Sequence, residues 1–305
     1  MKISIIIPTL NEEEYLPKLL ESIKKQTFKD YEIIVADAGS KDKTVKIARR
    51  YGARVVKGGL PAVGRNSGAK AAKGDFLFFL DADVILPKDF IEKAYNEMQS
   101  RFLDLSSCEY RPMSNLKIDK VMFDFANMLL KADQFSDDPL VPGFCIFITK
   151  RLFDRVGGFD ETLKMAEDHE FVKRAIKFRP YRMLKSTGIK LSVRRLRKEG
   201  RFNLAWKYFI VAMHRKFKGE IRKDIIEYEF AGYNKKNKSK IDRKLIEIER
   251  KINALNKEYK KFAGRYFRPE RITHGYAKGV TKLKKEFNKV NSAFRRLLIK
   301  KRTKK

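Results

Sequence analysis

The chain has 305 residues, 43% of them hydrophobic, enough for one substantial core with a remainder beyond it. Lys and Arg number 70 against 38 Asp and Glu, a formal net charge of +32. That excess implies a polyanionic partner: nucleic acid, an anionic membrane face or phosphorylated substrates. Only two cysteines are present, Cys108 and Cys145, which excludes a disulfide framework or a cysteine-based zinc site and points to a reducing compartment.

The opening MKISIIIP reads as no signal peptide, because its apolar run stops at Pro8 and no small-residue cleavage site follows. No apolar stretch approaches the roughly 18–20 residues that span a bilayer. The expected location is cytoplasmic, with a peripheral position on the inner face of the cell membrane as an extension of it.

Strands and helices alternate through the first half. A β-branched run at residues 3–7 predicts a strand buried on both faces. Leu16, Leu19, Leu20 and Ile23 follow at helical spacing, with Pro17 tolerated in the first turn. Strands are then expected at residues 31–36 and 54–56, with a helix at 44–51 between them. A small-residue helix at 66–73 leads to the most apolar strand, Phe76–Leu80. Such alternation predicts a right-handed, mostly parallel sheet. Ligands of these sheets sit beyond the carboxyl ends of the strands.

A helix is expected at 90–98, and then the pattern becomes less regular. Further expectations are a strand at 141–149, helices at 150–156 and 167–177, and a closing strand at 181–184. Residues 202–213 are rich in aromatics beside basic residues and hold the single tryptophan, Trp206. They suit a helix in a membrane interface or one packed on the preceding domain.

The most regular pattern comes last. Ile241, Leu245, Ile248, Ile252, Leu255, Tyr259, Phe262 and Tyr266 alternate steps of four and three. After Arg268-Pro269 the rhythm resumes from Ile272 to Leu297. A seam with a seven-residue repeat predicts coiled-coil packing, here an antiparallel hairpin or arms that dimerise. Residues 231–305 hold 26 Lys and Arg and 6 Asp and Glu, a net +20. The expected organisation is a domain at 1–195, an amphipathic helical segment at 196–230 and a basic helical hairpin at 231–305.

Candidate chemistry lies at the predicted strand ends. Asp81-Ala82-Asp83 follows Phe76–Leu80 directly. In extended chain the two carboxylates point the same way and can converge on Mg²⁺ or Mn²⁺, whose shell substrate phosphates complete. Asp37 ends the second strand, where a carboxylate can accept from a ribose hydroxyl or a base N–H. Pro8-Thr9-Leu10-Asn11-Glu12 ends the first. Arg65 opens the helix expected at 66–73, whose N-terminal dipole favours anions. Arg194, Arg195 and Arg197 form a cluster suited to phosphate or to an ordinary solvated surface.

These segments, with Tyr31–Ser40, Gly64-Arg-Asn-Ser-Gly68, Pro142-Gly143-Phe144, Val156-Gly-Gly-Phe-Asp-Glu161 and Ala166-Glu-Asp-His-Glu-Phe171, resemble family 2 glycosyltransferases over about residues 1–195. Those are inverting enzymes with the nucleotide-sugar-binding GT-A fold. The resemblance implies that Thr9, Glu12 and Asp37 contact the nucleoside and that Arg65 lies near the base or diphosphate. It also implies that Asp81 reaches the ribose and the metal, that Asp83 ligates the metal, and that Asp168 is the catalytic base. His169, Arg194 and Arg195 become candidates for diphosphate or acceptor contacts.

The implied donor is a UDP- or GDP-sugar, and the acceptor a hydroxyl of a lipid-linked or polysaccharide glycan. Two rivals stand beside this reading: a polyprenyl-phosphate glycosyltransferase, and a non-catalytic coiled-coil scaffold with a vestigial sugar-nucleotide domain. Homodimerisation through the C-terminal helices is an expectation. Nucleic-acid binding is disfavoured for want of a recognisable fold.

Overall fold

The computed structural model describes residues 1–223. The hairpin expected at 231–305, and the end of the 196–230 segment, lie outside the described residues. In chain order the elements begin with β1 (Ile3–Thr9), α1 (Leu16–Lys24), β2 (Tyr31–Asp37), α2 (Thr44–Arg50), β3 (Arg54–Lys57), α3 (Pro61–Ala71) and β4 (Phe76–Leu80). They continue with β5 (Val84–Ile85), α4 (Phe90–Ser100), β6 (Leu105–Pro112), α5 (Lys117–Asp133), β7 (Cys145–Thr149) and α6 (Lys150–Val156). The last are α7 (Glu167–Ala175), β8 (Tyr181–Leu191), α8 (Arg194–Glu199) and α9 (Arg201–Lys218).

One eight-stranded sheet runs in the order β3-β2-β1-β4-β7-β6-β8-β5. Its first half is parallel, as the alternation of strands and helices predicts. The second half is not. β7 runs antiparallel to β4 and to β6, and β5 antiparallel to β8, while β6 and β8 are parallel. The sheet is therefore mixed, because the chain returns through β7 between two strands laid in the opposite direction.

Alternate residues of the central strands serve two cores. Ile5, Ile7 and Phe78 pack with Leu16, Leu19 and Phe90 on the α1 and α4 face. Ile6, Leu77 and Phe79 pack with Leu152, Phe153 and Phe171 on the α6 and α7 face. Burial on both faces explains the unbroken apolar runs. α3 lies close on β1, and a Cβ at Gly68 would overlap the Ile6 side chain. α6 is capped by the Thr149 side chain, which accepts from the Leu152 amide, and ends at Gly157 in the left-handed region at φ 83°.

α9 is fixed to the domain at both ends. The Arg201 guanidinium pairs with both oxygens of Asp119 on α5, at 2.6 and 3.1 Å, with both side chains buried. At the other end Arg215 reaches Asp138, just past α5, at 2.9 Å. Between them Leu204 packs with Phe123 and Leu196, and Val211 with Met165. Among the described residues no helix is long and apolar enough to cross a membrane.

The Arg201–Asp119 pair makes a direct prediction. Asp119→Ala removes a carboxylate partner from the buried Arg201 guanidinium and should cost about 3–5 kcal/mol, whereas Asp119→Leu combined with Arg201→Met should recover part of that loss. Urea denaturation of the three proteins checks it.

Candidate active site

The loops beyond β1 and β2 are stitched together before any ligand is considered. Thr9 and Asp37 face each other across the ladder, and the Thr9 hydroxyl donates to the Asp37 carboxylate at 3.0 Å. The other Asp37 oxygen accepts from the Gly39 and Ser40 amides at 3.0 and 2.8 Å. Asn11, at φ 54°, accepts from the Lys41 amide through its side chain. The Glu12 amide donates to the Thr44 hydroxyl at 2.7 Å. These bonds fix the edge where the two strands end.

Two arginines then divide the carboxylates between them. Arg194, from the start of α8, makes a two-pronged pair with Glu12, each bond 2.7 Å long. Its Nε lies 2.9 Å from the Asp83 Oδ2, and its guanidinium lies over the Tyr15 ring. The Ser192 amide holds the Asp83 carbonyl at 3.0 Å, which brings the end of β8 against this turn. Arg65 is almost wholly buried. It pairs with Glu167, lies 3.4 Å from Asp81, and donates to the Gly143 carbonyl at 2.9 Å. Arg195 acts electrostatically on Asp81.

Two expectations need correction. Arg65 does not open its helix: α3 starts at Pro61, so Arg65 sits in the second turn and is held by carboxylates rather than by the helix dipole. Pro at the first helical position starts this helix, and the small-residue run conceals that start. Nor is 81–83 extended, because the chain turns at Ala82 and Asp83. Asp81 and Asp83 therefore meet different arginines, though their charges still act on each other.

Burial and charge set the ionisation of this cluster. Burial pushes the Asp81 carboxyl up to about 6; Arg65 pulls against that, and Asp83 adds to it. Its side chain nonetheless keeps 42% of its surface open, so it stays within reach of a ligand. Burial also raises Glu12, opposed by Arg194, and raises Glu167, opposed by Arg65. Burial disfavours charge on both arginines, and the surrounding carboxylates outweigh it, so both are held more firmly protonated.

Asp168 sits in the first turn of α7, as read from the sequence, after Ala166 in the left-handed region at φ 59°. Its carboxylate accepts from the His169 amide at 2.9 Å and lies directly against the Cα of Gly143. The His169 Nδ1 is buried without a hydrogen-bond partner among the described residues. Tyr208 of α9 turns its hydroxyl inward, shares a hydrogen bond with Arg195 and feels the charge of Asp168. Glu167, Tyr15, Tyr208 and the close approach of Gly143 were not foreseen. Arg65 and Glu167 are 102 residues apart, and no local signal links them.

The family model for glycosyl transferase family 2 matches residues 4–157, so the chain belongs to that family. Poly(ribitol-phosphate) beta-N-acetylglucosaminyltransferase TarS of Staphylococcus aureus is 30% identical over 186 residues, which cover 57% of this chain and 32% of TarS. The uncharacterized glycosyltransferase EpsJ of Bacillus subtilis is 28% identical, over 55% of this chain and 54% of its own. The chain thus spans between a third and a little over half of these relatives.

Solved structures share the GT-A fold. TarS 1–349 in complex with UDP-GlcNAc superposes with a TM-score of 0.52 at 24% identity, over 63% of this chain and 58% of that one. Mannosyltransferase PcManGT from Pyrobaculum calidifontis, in complex with GDP-Man and Mn²⁺, gives 0.54 at 23%, over 68% and 59%.

Gly143 offers a test of the geometry. Gly143→Ala places a methyl group where the Asp168 carboxylate lies. The end of that side chain can rotate away, so the variant should melt near the parent temperature with Asp168 displaced in its crystal structure. A fall of more than about 10 °C would mean that the backbone, rather than Asp168, has to give.

Proposed function

We propose that this chain is a metal-dependent inverting glycosyltransferase that moves a sugar from a nucleotide-diphosphate sugar to a hydroxyl of a lipid-linked or polysaccharide glycan. The observation that carries this reading is the convergence of Asp37, Asp81, Asp83 and Asp168 on one sheet edge, each held by a defined partner. Carboxylates gathered with arginine forks suit a ligand that brings ribose hydroxyls, phosphates and a cation together.

The residues present fit Mg²⁺ or Mn²⁺. Asp81 and Asp83 offer two hard oxygen ligands, and among the described residues no group of three His, Cys, Asp or Glu converges to form an all-protein cage. Such a site leaves most of the shell to water and substrate phosphates, as these cations prefer. Asp83 and Asp81 would hold the ion, and when bound it would neutralise the departing diphosphate.

The chain's own groups supply the rest. Thr9, Glu12 and Asp37 line the nucleoside end, where Asp37 is oriented by Thr9 and the Gly39 and Ser40 amides. Arg65 pairs with Glu167 and steadies Asp81, whose side chain stays open to a ligand. Asp168 accepts the proton of the acceptor hydroxyl while that oxygen bonds to the anomeric carbon; the bond to the diphosphate breaks, and its electrons leave on the diphosphate oxygen. His169, Arg194 and Arg195 meet the acceptor or the diphosphate.

UDP and GDP are both carried as donor bases, in keeping with the UDP-GlcNAc and GDP-Man complexes of the two solved relatives. The proposed organisation is a catalytic domain at 1–195, a helical segment at 196–230 and a basic hairpin at 231–305, which self-associates or adds positive charge facing the inner surface of the cell membrane.

Asp168→Asn should retain donor binding and lose about 10²–10⁴-fold in turnover, the usual contribution of a positioned base. Steady-state transfer assays check it. Native turnover in this variant would instead favour a phosphate acceptor, which needs no deprotonation. Asp83→Ala should abolish the dependence of donor affinity on Mn²⁺ in titration calorimetry. Equal affinities with and without Mn²⁺ in the native protein would overturn the metal assignment.

A further inference from the structure

We infer that α5 and α9 together form a face that inserts into the surface of an anionic lipid membrane. The two helices are tied near their starts by Arg201–Asp119, and the last turns of α9 are tied to the segment just past α5 by Arg215–Asp138. Their inward sides carry Asp119, Phe123, Asn127 and Leu130 on one helix and Leu204 and Val211 on the other. The outward sides are not polar. α5 exposes Val121, Phe125 and Met128, and α9 exposes Phe202, Trp206 and Phe209, each with half or more of its surface open. The spacing along each helix is four then three, so each set forms one stripe.

This concentration is unusual for a surface facing water. Trp206 and Phe209 stack on each other at 5.4 Å between ring centroids, which makes a broad aromatic platform. Exposed lysines lie at its margins, Lys120 on α5 and Lys218 on α9, against the single exposed acid Asp124 on those two helices. Aromatic and aliphatic stripes flanked by lysine are the pattern of helices that lie in the headgroup region. Charge complementarity selects the lipid: α9 carries no acidic residue at all, and basic residues near a membrane surface are drawn to anionic headgroups at about 1 kcal/mol each. The face also adjoins the acidic cluster, because Tyr208, between Trp206 and Phe209, meets Arg195. A membrane held there brings lipid-linked molecules near Asp168, a consequence that rests on the proposed reaction; the lipid surface itself does not.

The single tryptophan reports on this face directly. In the full chain, vesicles of equimolar phosphatidylglycerol and phosphatidylcholine should shift Trp206 emission to shorter wavelength. Lipids brominated along their acyl chains should quench it. Phe125→Glu with Phe209→Glu should weaken vesicle binding at least about tenfold while leaving the far-ultraviolet circular dichroism and the melting temperature unchanged. Vesicle binding with unaltered emission would overturn the inference and assign binding to the basic C-terminal residues alone. Emission already at short wavelength in buffer and insensitive to vesicles would also overturn it, since the face would then be covered by protein. So would failure to sediment with the vesicles.

Discussion

Carboxylates crowded at the end of one sheet repel each other, and the arrangement persists because two arginines from distant parts of the chain sit among them. Arg65 takes Asp81 and Glu167, and Arg194 takes Glu12 and Asp83. Away from bulk water like charges a few ångströms apart cost several kcal/mol, and opposite charges offset that cost only with good geometry. The two-pronged Arg194–Glu12 bond and the three contacts of Arg65 provide it. Asp37 and Asp168 flank this core of the site, held by Thr9, the Gly39 and Ser40 amides and the His169 amide.

That constraint links the fold's two halves. Arg65 comes from a helix between β3 and β4 and meets Glu167 at the start of α7. Arg194 comes from the start of α8, just after β8, and meets Glu12 just past β1. The mixed sheet makes both meetings geometrically reachable: β7 reverses direction beside β4, which sets Gly143 and Phe144 against Asp81, and β8 ends beside the turn at Asp83. A purely parallel sheet would place the later strand ends elsewhere.

The sequence made the first half of the fold legible because its strands are buried on both faces and read as unbroken runs such as Phe76–Leu80. β6 was not legible: Leu105-Ser-Ser-Cys is buried without being markedly apolar. α5 was hidden for the opposite reason. Its buried side mixes Asp119 and Asn127 with Phe123 and Leu130, while Val121, Phe125 and Met128 point outward, so the pattern does not mark which face is the core. The candidate site followed the same division. Asp37, Asp81, Asp83 and Asp168 announce themselves by position after a strand or at a helix start, whereas the pairings Arg65–Glu167 and Arg194–Asp83 depend on topology that no local pattern encodes. The buried pair Arg201–Asp119, which anchors α9, was equally silent.

The central claim is that this balanced cluster receives a nucleotide-sugar together with a divalent cation. A thermal-shift survey of UDP- and GDP-sugars with and without Mn²⁺ tests it most directly, because a ligand that binds only the folded state raises its stability by mass action. The account predicts that at least one donor raises the melting temperature by about 5–10 °C at about a hundredfold excess over its dissociation constant, and only with Mn²⁺ present. If no nucleotide-sugar stabilises the protein under either condition, the cluster is not a donor site and the account is wrong.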